Sequence, residues 1–212
     1  MHIPDGILPT SVCLAGYAVT GVATWYSLGR INSQDDPREG IPKASLLAAA
    51  FMVASWIHIP IPPTSVHLVL IGLMGAILGC YAFPAILIGL FFQAVLFQHG
   101  GLTTLGINAS VMGISALLAH HIFQARNLFA WDGKIKLYVF GFIAGAFGTG
   151  IAAVVMFVIL FNTIPAHLDV AAEKAGIYAL TLAHVPLMII EGLFTALVVI
   201  FLKRVKPELL KM

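Results

Sequence analysis

Long apolar runs separated by short polar breaks dominate this chain, the pattern of helices that cross a bilayer. The runs cover 8–29, 44–58, 66–97, 106–123, 137–161 and 177–202. A hydrocarbon core of about 30 Å takes about 20 helical residues. At about 1.5 Å per residue the third run would reach roughly 48 Å, too long for one crossing, and Pro84 lies just past its middle. Divided into 66–82 and 84–97, it brings the number of predicted spans to seven.

Charge placement tests that number independently. With the amino terminus outside, seven spans put Arg30, Arg38 and Lys43, then Arg126, Lys134 and Lys136, then Lys203, Arg204, Lys206 and Lys211 on the cytoplasmic side, and only Lys174 outside. Six spans would set the loop holding Arg126 to Lys136 opposite the one holding Arg30 to Lys43, and no orientation would satisfy the positive-inside tendency. The expected fold class is therefore an all-α integral membrane protein. It is one transmembrane domain over residues 1–212, a seven-helix bundle with its amino terminus outside and its carboxyl terminus cytoplasmic, in the cell's inner membrane.

Composition agrees. Sixty per cent of the 212 residues are hydrophobic and 9% charged, with a mean hydropathy of +0.99, too little charge to cover a soluble globule. Disorder, a disulfide scaffold and a nucleic-acid binder are excluded as well. Cys13 and Cys80 each lie inside an apolar run and read as small core residues. The first basic residue is Arg30, and Asp5 stands where a positive leader region would be, so no cleaved signal peptide is expected. The bulky His2 predicts that Met1 stays in place with a free α-amine. Residues 32–42 form a polar cytoplasmic loop.

Out of keeping are eight histidines beside only nine carboxylates. On the predicted topology His2, His58, His67, His99 and His167 lie at outer ends of spans and His184 in the outer part of the last. His120 and His121 end the fifth span inside, where imidazoles suit headgroups and terminal helix carbonyls. Imidazoles converging from separate segments would make a transition-metal site. Met1 and His2 form the sharpest constellation. The α-amine, the backbone amide of residue 2 and Nδ1 of His2 can close a five-membered and then a six-membered chelate around one ion. Three nitrogens in one plane leave a corner open, a geometry that favours nickel or copper, permits cobalt and disfavours zinc. A fourth nitrogen can come from His58 or His67, which bound a proline-rich segment expected to be an extended or re-entrant loop.

Other polar groups divide between structural and functional readings. Gln93, Gln98, His99, Gly100, Gly101 and Asn108 belong to a polar, glycine-bearing connection that either turns the chain or supports the ligands. Asp5 and Gly6 make a turn and cap the first helix, or Asp5 accepts from the His2 imidazole. Asp5, Thr64, Ser65, His99 and Asn108 are the candidates for such support. Glu191 is the one charged residue deep in a span, with His184 seven residues earlier on the same face, and is either functional or interhelical glue. Gly141, Gly145 and Thr149, spaced by four, allow close helix approach.

Three separated motifs carry a resemblance: the opening Met-His-Ile-Pro-Asp-Gly, the loop Ile-Pro-Ile-Pro-Pro-Thr-Ser-Val-His ending at His67, and Gln-His-Gly-Gly-Leu-Thr-Thr-Leu-Gly-Ile-Asn ending at Asn108. In that order, with the seven-span layout, they resemble the CbiM/NikM family, metal-binding membrane subunits of energy-coupling factor cobalt and nickel transporters. The resemblance covers the whole chain, most strongly up to about Ala119. It implies that the amino terminus folds back into the bundle and that the ion is held by the Met1 amine, the His2 amide and imidazole, and His67 rather than His58. It also implies partners: a transmembrane coupling subunit, cytoplasmic ATPase subunits and often a small accessory membrane subunit. No Gly-x-x-x-x-Gly-Lys-Ser/Thr loop occurs in the chain, so ATP chemistry is left to those partners. The loop before His67 is closer to cobalt members, whereas planar nitrogen chemistry suits nickel as well.

The expected function is thus capture of divalent cobalt or nickel as transported ligand, with no resident cofactor and no enzymatic activity. The alternative is a membrane-embedded metalloenzyme using the outer histidines and Glu191. Against it stand the missing His-Glu-x-x-His and His-x-x-Glu-His patterns.

Overall fold

A computed structural model describes residues 2–61, 64–130, 132–165 and 168–210. The chain is mostly helical, with α1 at Thr10–Asn32, α2 at Ile41–Ala54, α3 at Ile71–Leu78, α4 at Ala82–Phe97, α5 at Leu105–Gln124, α6 at Gly133–Asn162 and α7 at Val170–Val205. Between α2 and α3 lie two short antiparallel strands, β1 (His58–Ile61) and β2 (Thr64–His67), in a register that pairs His58 with His67 and Pro60 with Ser65.

Local chemistry explains most boundaries. Pro9 precedes the first residue of α1 and Pro42 sits in the first turn of α2, where a missing N–H costs no helical bond. Asp132 accepts from the amides of Lys134 and Ile135 and so starts α6, and Asp169 does the same for α7 through Ala171 and Ala172. The long run 66–97 does break, but at Gly79 rather than Pro84. Gly79 takes φ +57° and begins the 3-10 turn Gly79–Tyr81, while Pro84 lies harmlessly in the first turn of α4. The run is also shortened at its start, because 64–67 is strand and α3 begins only at Ile71.

Among the described residues four helical stretches are long and apolar enough to cross a membrane: Ile71–Phe97, Leu105–Leu128, Gly133–Asn162 and Val170–Val205. All eight residues of α3 are buried, which makes it the centre of the bundle. Glycines let neighbouring backbones reach it. A Cβ on Gly72 would overlap the backbone of Ala144 and Gly145 in α6, and one on Gly75 would overlap Ala116 in α5. Gly141 and Gly145 of α6 also face Ala196, Glu191 and Thr195 of α7, while Thr149 is fully buried. The helices α1 and α5 meet at Gly16 and Gly106, where Thr20 Oγ1 donates to the Gly106 carbonyl at 2.7 Å. Packed this way, α5 and α3 put their first residues beside the amino-terminal segment and β2.

Candidate metal centre

His2, His67 and His99, from the amino-terminal segment, the end of β2 and the turn after α4, bring one ring nitrogen each to within 4.8 Å of one another. His2 Nδ1 lies 3.3 Å from His67 Nε2, and His99 Nε2 lies 3.4 Å from the same atom. The other ring nitrogens decide what these atoms are. His2 Nε2 is 2.9 Å from Gln93 Oε1. The Gln93 amide is oriented by its own donor end, which faces Ser55 Oγ at 3.1 Å and the Met52 carbonyl at 3.4 Å. Ser55 Oγ spends its proton on the Met52 carbonyl and so accepts from Gln93. Gln93 Oε1 is therefore an acceptor, His2 Nε2 carries the hydrogen, and the lone pair of a neutral His2 is on Nδ1. His67 Nδ1 donates to the Leu68 carbonyl at 3.0 Å, which leaves its lone pair on Nε2.

Two nitrogen lone pairs thus face each other at 3.3 Å. Without a cation this contact is repulsive; an electrophile shared between them makes it attractive. A proton is disfavoured as that cation, because burial, followed by the amino-terminal charge and then charge on the His99 and His67 imidazoles, holds the His2 pKa well below its ordinary value.

The backbone around these rings is tied down at each approach. Asn108 grips Ile3 from both sides, accepting from its amide and donating to its carbonyl, each at 3.0 Å, and Thr104 Oγ1 donates to the same carbonyl at 2.6 Å. The Asp5 carboxylate accepts from the amides of Leu102, Thr103 and Thr104 and from the Thr103 hydroxyl. Those bonds, the Thr103 hydroxyl first, hold the Asp5 pKa below its ordinary value. Both readings of Asp5 as a helix-one cap and as an acceptor for His2 are corrected here: α1 starts without a side-chain cap, and His2 bonds Gln93 instead. The open amides ahead of α5 are the nearer donors, as a helix start requires. His99 is set by Gln98 at φ +53° and Gly100 at φ +86°, with its amide bonded to the Gln93 carbonyl at 3.1 Å. Gly101 must be glycine, since a Cβ there would overlap the Asp5 carboxylate.

On the other side, Glu191 is fully buried and accepts from the amides of Val69 at 2.5 Å and Leu70 at 3.0 Å. It holds the chain between His67 and α3, which is the interhelical-glue reading and leaves its oxygens occupied. His184 is buried in α7 with Nδ1 bonded to the Leu180 carbonyl at 2.7 Å. Met1 and His167 lie outside the described residues, as do the side chains of His58, Thr64 and Ser65, whose backbones belong to the strand pair. Sequence reasoning placed Gln93 in the connection after the fourth span, with a supporting role as one of two readings; it lies inside α4, and its bond to His2 is the support that the structure adds.

The sequence model of the family described as CbiM, cobalt uptake substrate-specific transmembrane region, matches residues 2–209. A protein of Haemophilus influenzae described as a metal transport protein is 36% identical over 213 residues, covering 99% of this chain and 97% of its own. A CbiM cobalt transport protein of Methanocorpusculum labreanum is 32% identical, covering 100% and 92%. The fused nickel transport protein NikMN of Rhodobacter capsulatus is 30% identical, covering 99% of this chain and 64% of its own. A crystal structure of a transition metal transporter superposes with a TM-score of 0.80 at 24% identity, covering 97% of this chain and 93% of that one, and shares the fold.

Proposed function

This chain belongs to the CbiM family of cobalt and nickel transport membrane proteins, and on that premise we propose that it is the subunit that captures the divalent ion, cobalt or nickel, for ATP-driven uptake. The ion is the transported substrate. Its donors are the Met1 amine, the His2 amide nitrogen and Nδ1, and His67 Nε2. The observation that carries the proposal is the opposed pair of lone pairs on His2 Nδ1 and His67 Nε2, 3.3 Å apart and held in those tautomers by Gln93 and the Leu68 carbonyl.

The donors come from two segments, the amino-terminal residues and the end of β2, so displacement of one from the other opens the site. We assign that displacement to partners of the energy-coupling factor type: a transmembrane coupling subunit, cytoplasmic ATPase subunits and an accessory membrane subunit. Seven crossings in the inner membrane, with the amino terminus outside, would present the site to the outer side. The metalloenzyme alternative has no support, since the relatives are transport proteins and Glu191 is committed to two backbone amides.

Calorimetric titration of the purified full chain with Co2+ and Ni2+ tests the donor set. One extra residue ahead of Met1 moves the amine out of chelate position while leaving every side chain in place, and is expected to weaken binding by about tenfold or more, as is His67→Ala. Undiminished affinity in both variants overturns the proposal.

A further inference from the structure

At the end of the bundle away from the three histidines, α1, α2 and α4 enclose an apolar groove of about 750 Å3. α2 gives it a face of small residues, Ala44, Ser45, Ala48 and Ala49, none of which fills the space. Leu28 and Ile31 in the last turns of α1 face them, and α4 adds Pro84, Ile88 and Phe92. Gly89 lets α2 lie close to α4, since a Cβ there would overlap the Phe51 ring. The groove follows α2 from Ile41 to Met52, about 17 Å of helix. Half of a hydrocarbon core of about 30 Å is about 15 Å, so the groove is as long as one leaflet is deep.

Its polar end is fixed by the loop between α1 and α2. Tyr81 Oη shares its proton between Gln34 Oε1 and the Pro37 carbonyl, each at 2.9 Å, and Gly40 packs on the Tyr81 ring so closely that a Cβ would overlap it. The loop is thereby clamped on both sides of Arg38, whose amide donates to Asp36 Oδ1 at 2.9 Å. Arg38 is the one charged residue that lines the groove among the described residues, with Asn32 as a neutral polar companion. The acidic residues of the same loop, Asp35, Asp36 and Glu39, do not line it. A guanidinium at the mouth of an apolar slot one leaflet deep suits a phosphodiester headgroup with an acyl chain beneath it.

We propose that this groove holds one phospholipid of the adjoining leaflet, with an acyl chain between α2 and α4 and the headgroup phosphate on Arg38. A crossing helix of a partner is the poorer occupant, because it needs a groove as deep as the whole bilayer and would leave the guanidinium without a counter-charge. The lipid also answers a packing need. Of the 14 residues of α2 only Phe51 and Ala54 are buried, both near its far end, so its first turns have little protein to lean on. An acyl chain along Ala44 and Ala48 gives them a partner. The site stands whatever ion the chain carries.

Native mass spectrometry of the purified full chain tests this, with phosphatidylglycerol or a diacylglycerol of the same chains added to delipidated protein in detergent. Wild type is expected to bind one phosphatidylglycerol, and the diacylglycerol at least about tenfold more weakly. Ala49→Phe fills the slot and Arg38→Ala removes the cation; both positions are exposed, so neither change disturbs protein packing. Each is expected to weaken phosphatidylglycerol binding by about tenfold or more, whereas Lys134→Ala, which removes a cation outside the groove, leaves it unchanged. Wild-type binding in both groove variants overturns the proposal, as does equal binding of the two lipids by wild type. A dimer of the lipid-free chain that Ala49→Phe abolishes also overturns it, by assigning the groove to a second copy.

Discussion

Gln93 Oε1 accepts a hydrogen bond from His2 Nε2 at 2.9 Å, and that bond places the lone pair of His2 on the nitrogen that faces His67. Gln93 is fully buried within α4 and its amide is oriented by Ser55 and the end of α2. A residue outside the proposed donor set thereby sets the donor atom of one inside it. Gln93→Leu removes the acceptor and frees both tautomers, and is expected to lower metal affinity by about 10–100-fold. Titration of the purified protein measures it. Equal affinity in variant and wild type would show that His2 does not depend on this bond.

Glu191 has a comparable role on the His67 side. Glu191→Ala strands two buried amides, Val69 and Leu70, at about 1–3 kcal/mol each, and loosens the link between His67 and α3. Glu191→Gln keeps one acceptor oxygen and should lose less. Thermal unfolding in detergent is expected to rank wild type above Glu191→Gln and Glu191→Ala lowest, with metal affinity in the same order. Unfolding of the alanine variant at the wild-type temperature is the contrary result.

Helix packing gives a sharp contrast between two glycines. Gly72→Ala drives a methyl group into the backbone of Ala144 and Gly145, in a helix with no exposed face along which to shift. Destabilisation of about 1–3 kcal/mol is expected. Gly29 has open space around its would-be Cβ, so Gly29→Ala should stay within about 1 kcal/mol of wild type. Similar melting temperatures for the two variants would mean that α3 and α6 do not pack this closely.

Acid should act through His2. Its folded pKa is lowered, so the fold favours the neutral ring. That contribution to stability is fully present above the ordinary histidine pKa of about 6.5 and is lost as pH falls from there towards the depressed folded value. Metal-free protein is therefore expected to melt at progressively lower temperature below about pH 6.5, and His2→Asn should flatten that part of the profile. Superimposable profiles would remove His2 from the acid response.

Much of this was legible along the chain because it depends on local chemistry. The apolar runs marked the helices, since a bilayer accepts only backbones that satisfy themselves. His2 stood out because an imidazole at residue 2 can chelate beside a free amine; spacing left His58 and His67 equally open, and the family resemblance chose His67. Glu191 stood out because an intramembrane carboxylate needs a reason. The break in 66–97 was foreseen at the wrong residue. Pro84 is the stronger helix breaker in general, but in a first turn it breaks nothing, and Gly79 with its positive φ does.

By itself, then, the sequence determined that this is a helical membrane protein and which residue types could hold an ion, because hydropathy and ligand chemistry are properties of residues. Only the tertiary structure decided that His99 joins His2 and His67, that Gln93 selects the His2 tautomer, and that Asp5 and Glu191 hold the backbones from which these rings project. Those relations join residues 32 to 122 positions apart, set by how closely α3, α5 and α6 approach at their glycines. No spacing along the chain encodes such an approach; packing does.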